Sequence, residues 1–172
     1  MPFTPIHFGP GVLLKAVAPS RFSFTAFVLA NVVIDLEPLY HILRGDHPLH
    51  GPLHSLVGAT TIGLLAGVGV SLIPQVARRA PLAQDTPSKL PDALQAELRL
   101  SACVLGGVVG GASHALLDAL IYSDFHPFLP FSGRNPLLGS ITPNILTQSL
   151  LVAGAIGVAL LAVRALLARR AG

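Results

Sequence analysis

The sequence predicts an all-α fold, an integral membrane bundle of four to five helices, from three observations. Hydrophobic types make up 52 % of the 172 residues and Asp, Glu, Lys and Arg only 11 %, less than half the ~25 % charged share of soluble domains. Three runs, 53–77, 100–122 and 145–163, are nearly free of titratable side chains, and each is long enough to cross the ~30 Å of a bilayer's hydrocarbon as a helix. The 17 Gly and 15 Pro follow no period, which excludes a collagen-like or low-complexity chain, and the apolar content excludes disorder. The length suits one domain, 1–172. A formal charge of +3, dispersed along the chain, leaves no nucleic-acid footprint. The expected partner is the lipid bilayer.

The elements follow in order. Residues 5–18, broken by Pro10 and Pro19 and carrying Lys15, predict a short or re-entrant helix that forms a hairpin with the next. They do not read as a signal peptide, because no basic residue precedes the apolar stretch and no small-residue cleavage site follows it. The run 22–34 is apolar but short, and it extends to Leu43 only by accepting Asp35, Glu37, Pro38 and His41. It predicts a crossing helix that ends near Pro38. The helix over 53–77 holds His54 as its only titratable side chain, that over 100–122 holds His114 and Asp118 as its only imidazole and acid, and 145–163 has none. Residues 78–99, with three prolines and mixed charge, read as an extramembrane linker with one or two helical turns, and 123–144 as a loop rich in Pro and Phe. Cys103, the one cysteine, excludes an internal disulfide or thiolate cage and reads as a small buried hydrophobe. Gly63 with Gly67, Gly106 with Gly110, and Gly107 with Gly111 recur at the four-residue spacing that lets helix backbones approach in lipid.

The positive-inside rule sets sides. Arg78, Arg79, Lys89 and Arg99 put the linker in the cytoplasm, Arg164, Arg169 and Arg170 put the C-terminus there, and Lys15 with Arg21 puts the first hairpin turn on the same side. The opposite half then receives His7, Asp35, Glu37, His41, Asp46, His47, His50, His54, Asp124 and His126, and His114 and Asp118 reach it late in their helix.

Among these groups, His114 and Asp118 at i and i+4 share one helix face, so they can bind one ion together or as ligand and orienter. A carboxylate left unpaired inside a membrane helix costs roughly 2.5–3.5 kcal/mol, and the alternative is a neutral His hydrogen-bonded to Asp. His47-Pro-Leu-His50-Gly-Pro-Leu-His54 is a doubled Pro-Leu-His unit. Pro52 suits a first helical turn, which puts His54 in that turn and His50 just ahead of it, where a helix N-terminus favours neutral imidazoles ready to ligate. Asp35 and Glu37 precede Pro38 at an expected helix C-terminus, where carboxylates want a cation, and since residues two apart do not face each other only Asp35 is expected to point inward. His7, which opens the first helix, reaches the same layer. The candidate metal ligands are therefore His7, Asp35, His50, His54, His114 and Asp118, with Asp35, His114 and Asp118 as candidate catalytic residues. Arg134, in the loop that carries His126, is the candidate contact to an anionic substrate group. His41 and Asp46 read as solvated, and the roles of Glu37, His47 and His126 stay open.

Pro2-Phe3-Thr4-Pro5-x-His7, the acid-ending helix at Asp35, His54-Ser55, and Gly110-x-x-Ser113-His114-x-x-x-Asp118 followed by a Pro-Phe loop together resemble a known family. It is the predicted membrane-bound metal-dependent hydrolases of bacterial inner membranes, which include the LexA-regulated member. The similarity runs over about residues 1–136. It implies an inner-membrane location and a divalent-metal site, and the His-x-x-x-Asp helix also resembles that of the all-helical zinc phospholipase C enzymes. The doubled acid before Pro38 and the Pro-Leu-His duplication depart from the family's pattern, so the resemblance does not extend to Glu37, His47 and His50.

Imidazole nitrogen with carboxylate oxygen and no sulfur suits Zn²⁺ first, with Mn²⁺ or Fe²⁺ as alternatives. Six ligands exceed the need of one tetrahedral ion, so a second ion or a set of orienting groups is expected. The predicted function is metal-dependent hydrolysis of an ester or phosphoester of a small amphipathic or phosphorylated substrate. No serine lies in a nucleophile-elbow pattern. The competing readings are a membrane transporter, against which stands the lack of an internal repeat of helix pairs, and a structural membrane protein with a non-catalytic metal.

Overall fold

The computed structural model describes residues 5–79 and 90–171. Pro2, Phe3 and Thr4 of the opening motif, and Lys89 of the linker, lie outside them. The described residues form helices and no strand: a 3-10 turn Pro5–His7, α1 (Phe8–Val17), α2 (Phe24–Ile34), α3 (Leu36–Arg44), a 3-10 turn Pro52–His54, α4 (Leu56–Arg79), α5 (Asp92–Glu97), α6 (Leu100–Ala119) and α7 (Pro143–Ala171). Four segments are long and apolar enough to span a bilayer: Phe24–Arg44, Leu56–Ala77, Leu100–Ala119 and Pro143–Arg170. The chain is thus a multi-pass membrane bundle with a short N-terminal helix.

Local chemistry accounts for the boundaries. Ser23 caps α2, its Oγ accepting from the Ala26 N–H at 3.2 Å, and the Ser55 Oγ accepts from the Gly58 N–H at 3.0 Å where α4 begins. The helix expected to end near Pro38 is instead broken at Asp35 and resumes as α3 to Arg44. Pro38 has no N–H for the Ile34 carbonyl, so the ladder fails one turn ahead of it. In the first turn of α3, however, a proline is tolerated and the helix restarts. Gly45, at φ 68°, ends α3 in the left-handed conformation that glycine adopts without cost. The short helix expected in the linker is α5.

α6 sits between α2 and α4, and its glycines explain how. A Cβ on Gly107 would stand 2.0 Å from the Gly63 carbonyl oxygen of α4, and one on Gly106 would stand 2.1 Å from the Ser23 carbonyl oxygen at the start of α2. The two glycine pairs of α6 thus serve two different neighbours, with backbones close enough for dispersion to act between them. α1 packs on α7 with the same economy of side chain at Gly9 and Gly157. Cys103 is buried and free, as expected.

At one end of the bundle Lys15 donates to the carbonyls of Pro19 (2.7 Å) and Phe22 (3.0 Å) and pairs with Glu97. Glu97 also accepts from Ser23 Oγ and the Thr25 N–H, and Arg164 of α7 reaches the Ala16 carbonyl at 2.7 Å. The hairpin turn, the end of the linker and the basic end of α7 therefore share one end of the molecule. The histidines collect at the other.

Candidate metal centre

Five separate pieces of chain meet there. His7 comes from the first 3-10 turn, Asp35 from the break between α2 and α3, His50 from the connection after α3, His54 from the second 3-10 turn, and His114 and Asp118 from the last two turns of α6. All six are buried, at 3 %, 8 %, 7 %, 1 %, 1 % and 3 % exposure in that order. His114 Nε2 lies 3.2 Å from Asp118 Oδ2 and 3.3 Å from Asp35 Oδ1, His7 Nε2 lies 3.4 Å from Asp118 Oδ1, and His54 Nε2 lies 4.0 Å from Asp35 Oδ1. The imidazoles form a row, with ring centroids 4.8 Å apart for His7 and His114, 5.5 Å for His114 and His54, and 5.0 Å for His54 and His50. Three sets offer ligand atoms within 4.8 Å of one another: His7, His114, Asp118; Asp35, His54, His114; and His50, His54, Asp118.

Three of the rings are held from behind. His54 Nδ1 lies 2.7 Å from Glu37 Oε2, His50 Nδ1 lies 3.0 Å from Asp124 Oδ1, and His114 Nδ1 lies 3.0 Å from Asn31 Oδ1. Asn31 in turn donates through Nδ2 to the Phe27 carbonyl at 2.8 Å, which fixes which end of its amide faces the ring. Each acceptor keeps the proton on Nδ1 and turns Nε2 towards the centre, the orientation that metal-ligating histidines usually have. Burial pushes the Asp124 carboxyl up, but the hydrogen bonds from His50 and from the Leu49 and His50 N–H groups outweigh it and hold Asp124 below the ordinary carboxylate range. The 123–142 loop folds back over this layer. Its Pro127 carbonyl accepts from the Leu56 N–H at 2.8 Å, and the buried Phe125 ring lies 5.5 Å from that of His50 and 5.9 Å from that of His54.

The residues fit a divalent cation. Nε2 of His54, Nε2 of His114 and Oδ1 of Asp118 are buried and make no hydrogen bond, although His114 Nε2 has two carboxylate oxygens within 3.3 Å. His114 Nε2 and these two oxygens lie at hydrogen-bond separation without hydrogen-bond alignment, as ligands aimed at a shared point would. Among the described residues, no Lys or Arg pairs with Asp35, Glu37, Asp118 or Asp124, and buried carboxylates without a cation are costly. Imidazole and carboxylate donors without thiolate suit Zn²⁺, Mn²⁺ or Fe²⁺.

Over residues 1–169 the chain matches the family described as Domain of unknown function (DUF4184). It belongs to this family. No curated protein and no solved structure matches the chain. In this DUF4184 protein all six residues expected to ligate metal converge. Asp35 points inward as expected, but Glu37 does so too, because the break at Asp35 resets the helix and the two-residue spacing no longer separates their directions. Asn31, Glu37 and Asp124 were not expected as partners of the rings. Asn31, four residues before Asp35 on α2, carried the one usable signal, a polar side chain in an otherwise apolar run. His47 and Asp46 are exposed, and Asp46 pairs with Arg44 at 3.3 Å. His41 and His126 are half-buried and join none of the three sets. Arg134 is exposed on the loop, where its backbone N–H donates to Ser132 Oγ.

Proposed function

We propose that this DUF4184 protein is a metal-dependent hydrolase of the bacterial inner membrane, cleaving an ester or phosphoester of an amphipathic, lipid-like substrate. The observation that carries this reading is the convergence of His7, Asp35, His50, His54, His114 and Asp118 with buried, unpartnered Nε2 atoms. These residues would hold Zn²⁺, with Mn²⁺ or Fe²⁺ as alternatives. When bound, such an ion polarises an ester or phosphoryl oxygen and lowers the pKa of water. His114 and Asp118, one turn apart on α6, would hold the ion, and the carboxylate of Asp35, whose Oδ1 lies 3.3 Å from His114 Nε2, would take up the proton that the water gives up. Phe125 and Pro127 limit bulk water at the histidine layer. Arg134, exposed at the loop surface, meets the anionic group of the substrate. By the positive-inside rule the C-terminus is cytoplasmic and the histidine layer lies towards the outer leaflet, within reach of lipid head groups.

The test uses purified full-length protein in detergent, with phospholipid, polyprenyl phosphate and a chromogenic phosphodiester as substrates. Turnover that chelator abolishes and added Zn²⁺ or Mn²⁺ restores is expected. His114→Ala and Asp118→Ala should lose at least 100-fold in kcat, and Arg134→Ala should raise KM more than it lowers kcat. Bound metal without turnover of any of these substrates, together with metal uptake into proteoliposomes, would overturn hydrolysis in favour of transport.

A further inference from the structure

The geometry points to two divalent cations bridged by Asp118, rather than one. This rests on the metal-binding reading above but not on hydrolysis. The four imidazoles lie in a row, His7, His114, His54, His50, and each ligand set takes only neighbours in that row. No set joins His7 to His54 or His50, so no single ion uses all four rings. Two sets divide the row without sharing a histidine: His7 with His114, and His54 with His50. Both contain Asp118. Its Oδ1 and Oδ2 face the two rings of the first pair, His7 and His114, and one of its oxygens also lies within 4.8 Å of ligand atoms of His54 and His50 in the second. Asp35 faces one ring of each pair, His114 at 3.3 Å and His54 at 4.0 Å. Each ion then receives two imidazoles and shares carboxylates with the other, in the manner of two-metal sites whose ions stand roughly 3.5–4 Å apart.

Charge points the same way. Asp35, Glu37, Asp118 and Asp124 bring four formal negative charges to or directly behind the ring layer, and among the described residues none is paired with Lys or Arg. Asp124 is a third exposed, but the carboxylates of Asp35, Glu37 and Asp118 are largely buried, and against these three a single divalent cation leaves a net negative charge in a low-dielectric region whereas two do not. The orienting partners are divided between the halves as well, with Asn31 behind His114 and Glu37 and Asp124 behind His54 and His50.

Stoichiometry decides it. Full-length protein is loaded with Mn²⁺ or Zn²⁺, freed of excess metal and measured by elemental analysis, and the Mn²⁺ form is examined by electron paramagnetic resonance. Two equivalents per chain and an exchange-coupled Mn²⁺ spectrum are expected. His7→Ala and His50→Ala should each retain one equivalent with an uncoupled spectrum, and Asp118→Ala should lose both. One equivalent in the unaltered protein, or two with an uncoupled spectrum, would overturn the bridged pair and leave the metal site standing. No bound metal would overturn both readings. The unaltered chain alone supplies the decisive count, so a variant that fails to fold does not shelter the proposal.

Discussion

One carboxylate, that of Glu37, accepts from His54 Nδ1 and from the backbone N–H groups of Gly51, Leu53 and His54. It therefore sets both the path of the 3-10 turn and the direction of the ring that the turn carries. Groups that orient a ligating histidine typically contribute 10–100-fold to metal affinity. Glu37→Gln, which keeps an acceptor for the backbone but weakens the hold on Nδ1, should lower affinity within that range in competition with a chromophoric chelator; unchanged affinity would remove Glu37 from the site. At this scale the sequence was legible in part. His114 and Asp118 declared themselves because both lie on one turn of one helix, where spacing fixes neighbourhood. Glu37 did not, because its direction depends on a helix break, and Asp124 did not, because it meets His50 across 74 residues of chain.

Among the elements, α6 carries both His114 and Asp118, the candidate ligands, and the surface that seats them. Its glycines admit α4 and α2 at backbone contact, and the same approach brings His54 and Asp35 to the level of His114. Gly107→Leu should therefore cost at least the ~1–3 kcal/mol of an overpacked core, and should lower metal occupancy with it, because the atom a new Cβ would strike is a backbone oxygen at 2.0 Å. Gly69→Ala on α4, where a Cβ meets nothing within 4 Å, is the control, and it should be neutral or stabilising by up to ~1 kcal/mol. Thermal unfolding in detergent with metal analysis on the same samples reads both, and equal behaviour of the two variants would refute the close-approach account. The four-residue glycine spacing was visible in the sequence, but which pair faces which neighbour was not, since either register satisfies the pattern.

The whole molecule is polarised. One end holds the histidine layer, the other the Lys15–Glu97 latch that ties the linker to the first hairpin, and α7 between them exposes Leu151, Val152, Ile156 and Leu167 as a lipid-facing surface. Burial pushes the Glu97 carboxyl up, but the bonds from Lys15 and Thr25 outweigh it and hold Glu97 below the ordinary carboxylate range. A depressed folded-state value means that this contribution is fully present above the unfolded carboxylate pKa of ~4.3 and is lost as pH falls through the lower folded value. Glu97→Gln should thus lower the melting temperature at pH 7, and the gap from the unaltered protein should close as the solution is acidified below pH ~4. A gap that stays constant with pH would show that the charge of Glu97 does not support the latch.

The sequence by itself determined the class of molecule, the number of apolar segments long enough to cross a bilayer and the six residues that converge as candidate ligands, because hydropathy and residue chemistry are local properties of the chain. Only the tertiary structure decided how the rings line up, which groups orient them and that Asp118 is shared by two of the candidate sets. Those relations depend on a helix broken at Asp35, on glycine faces that set helix separations and on a loop that returns over α4, and each joins residues far apart in the chain, whose distances no linear pattern encodes.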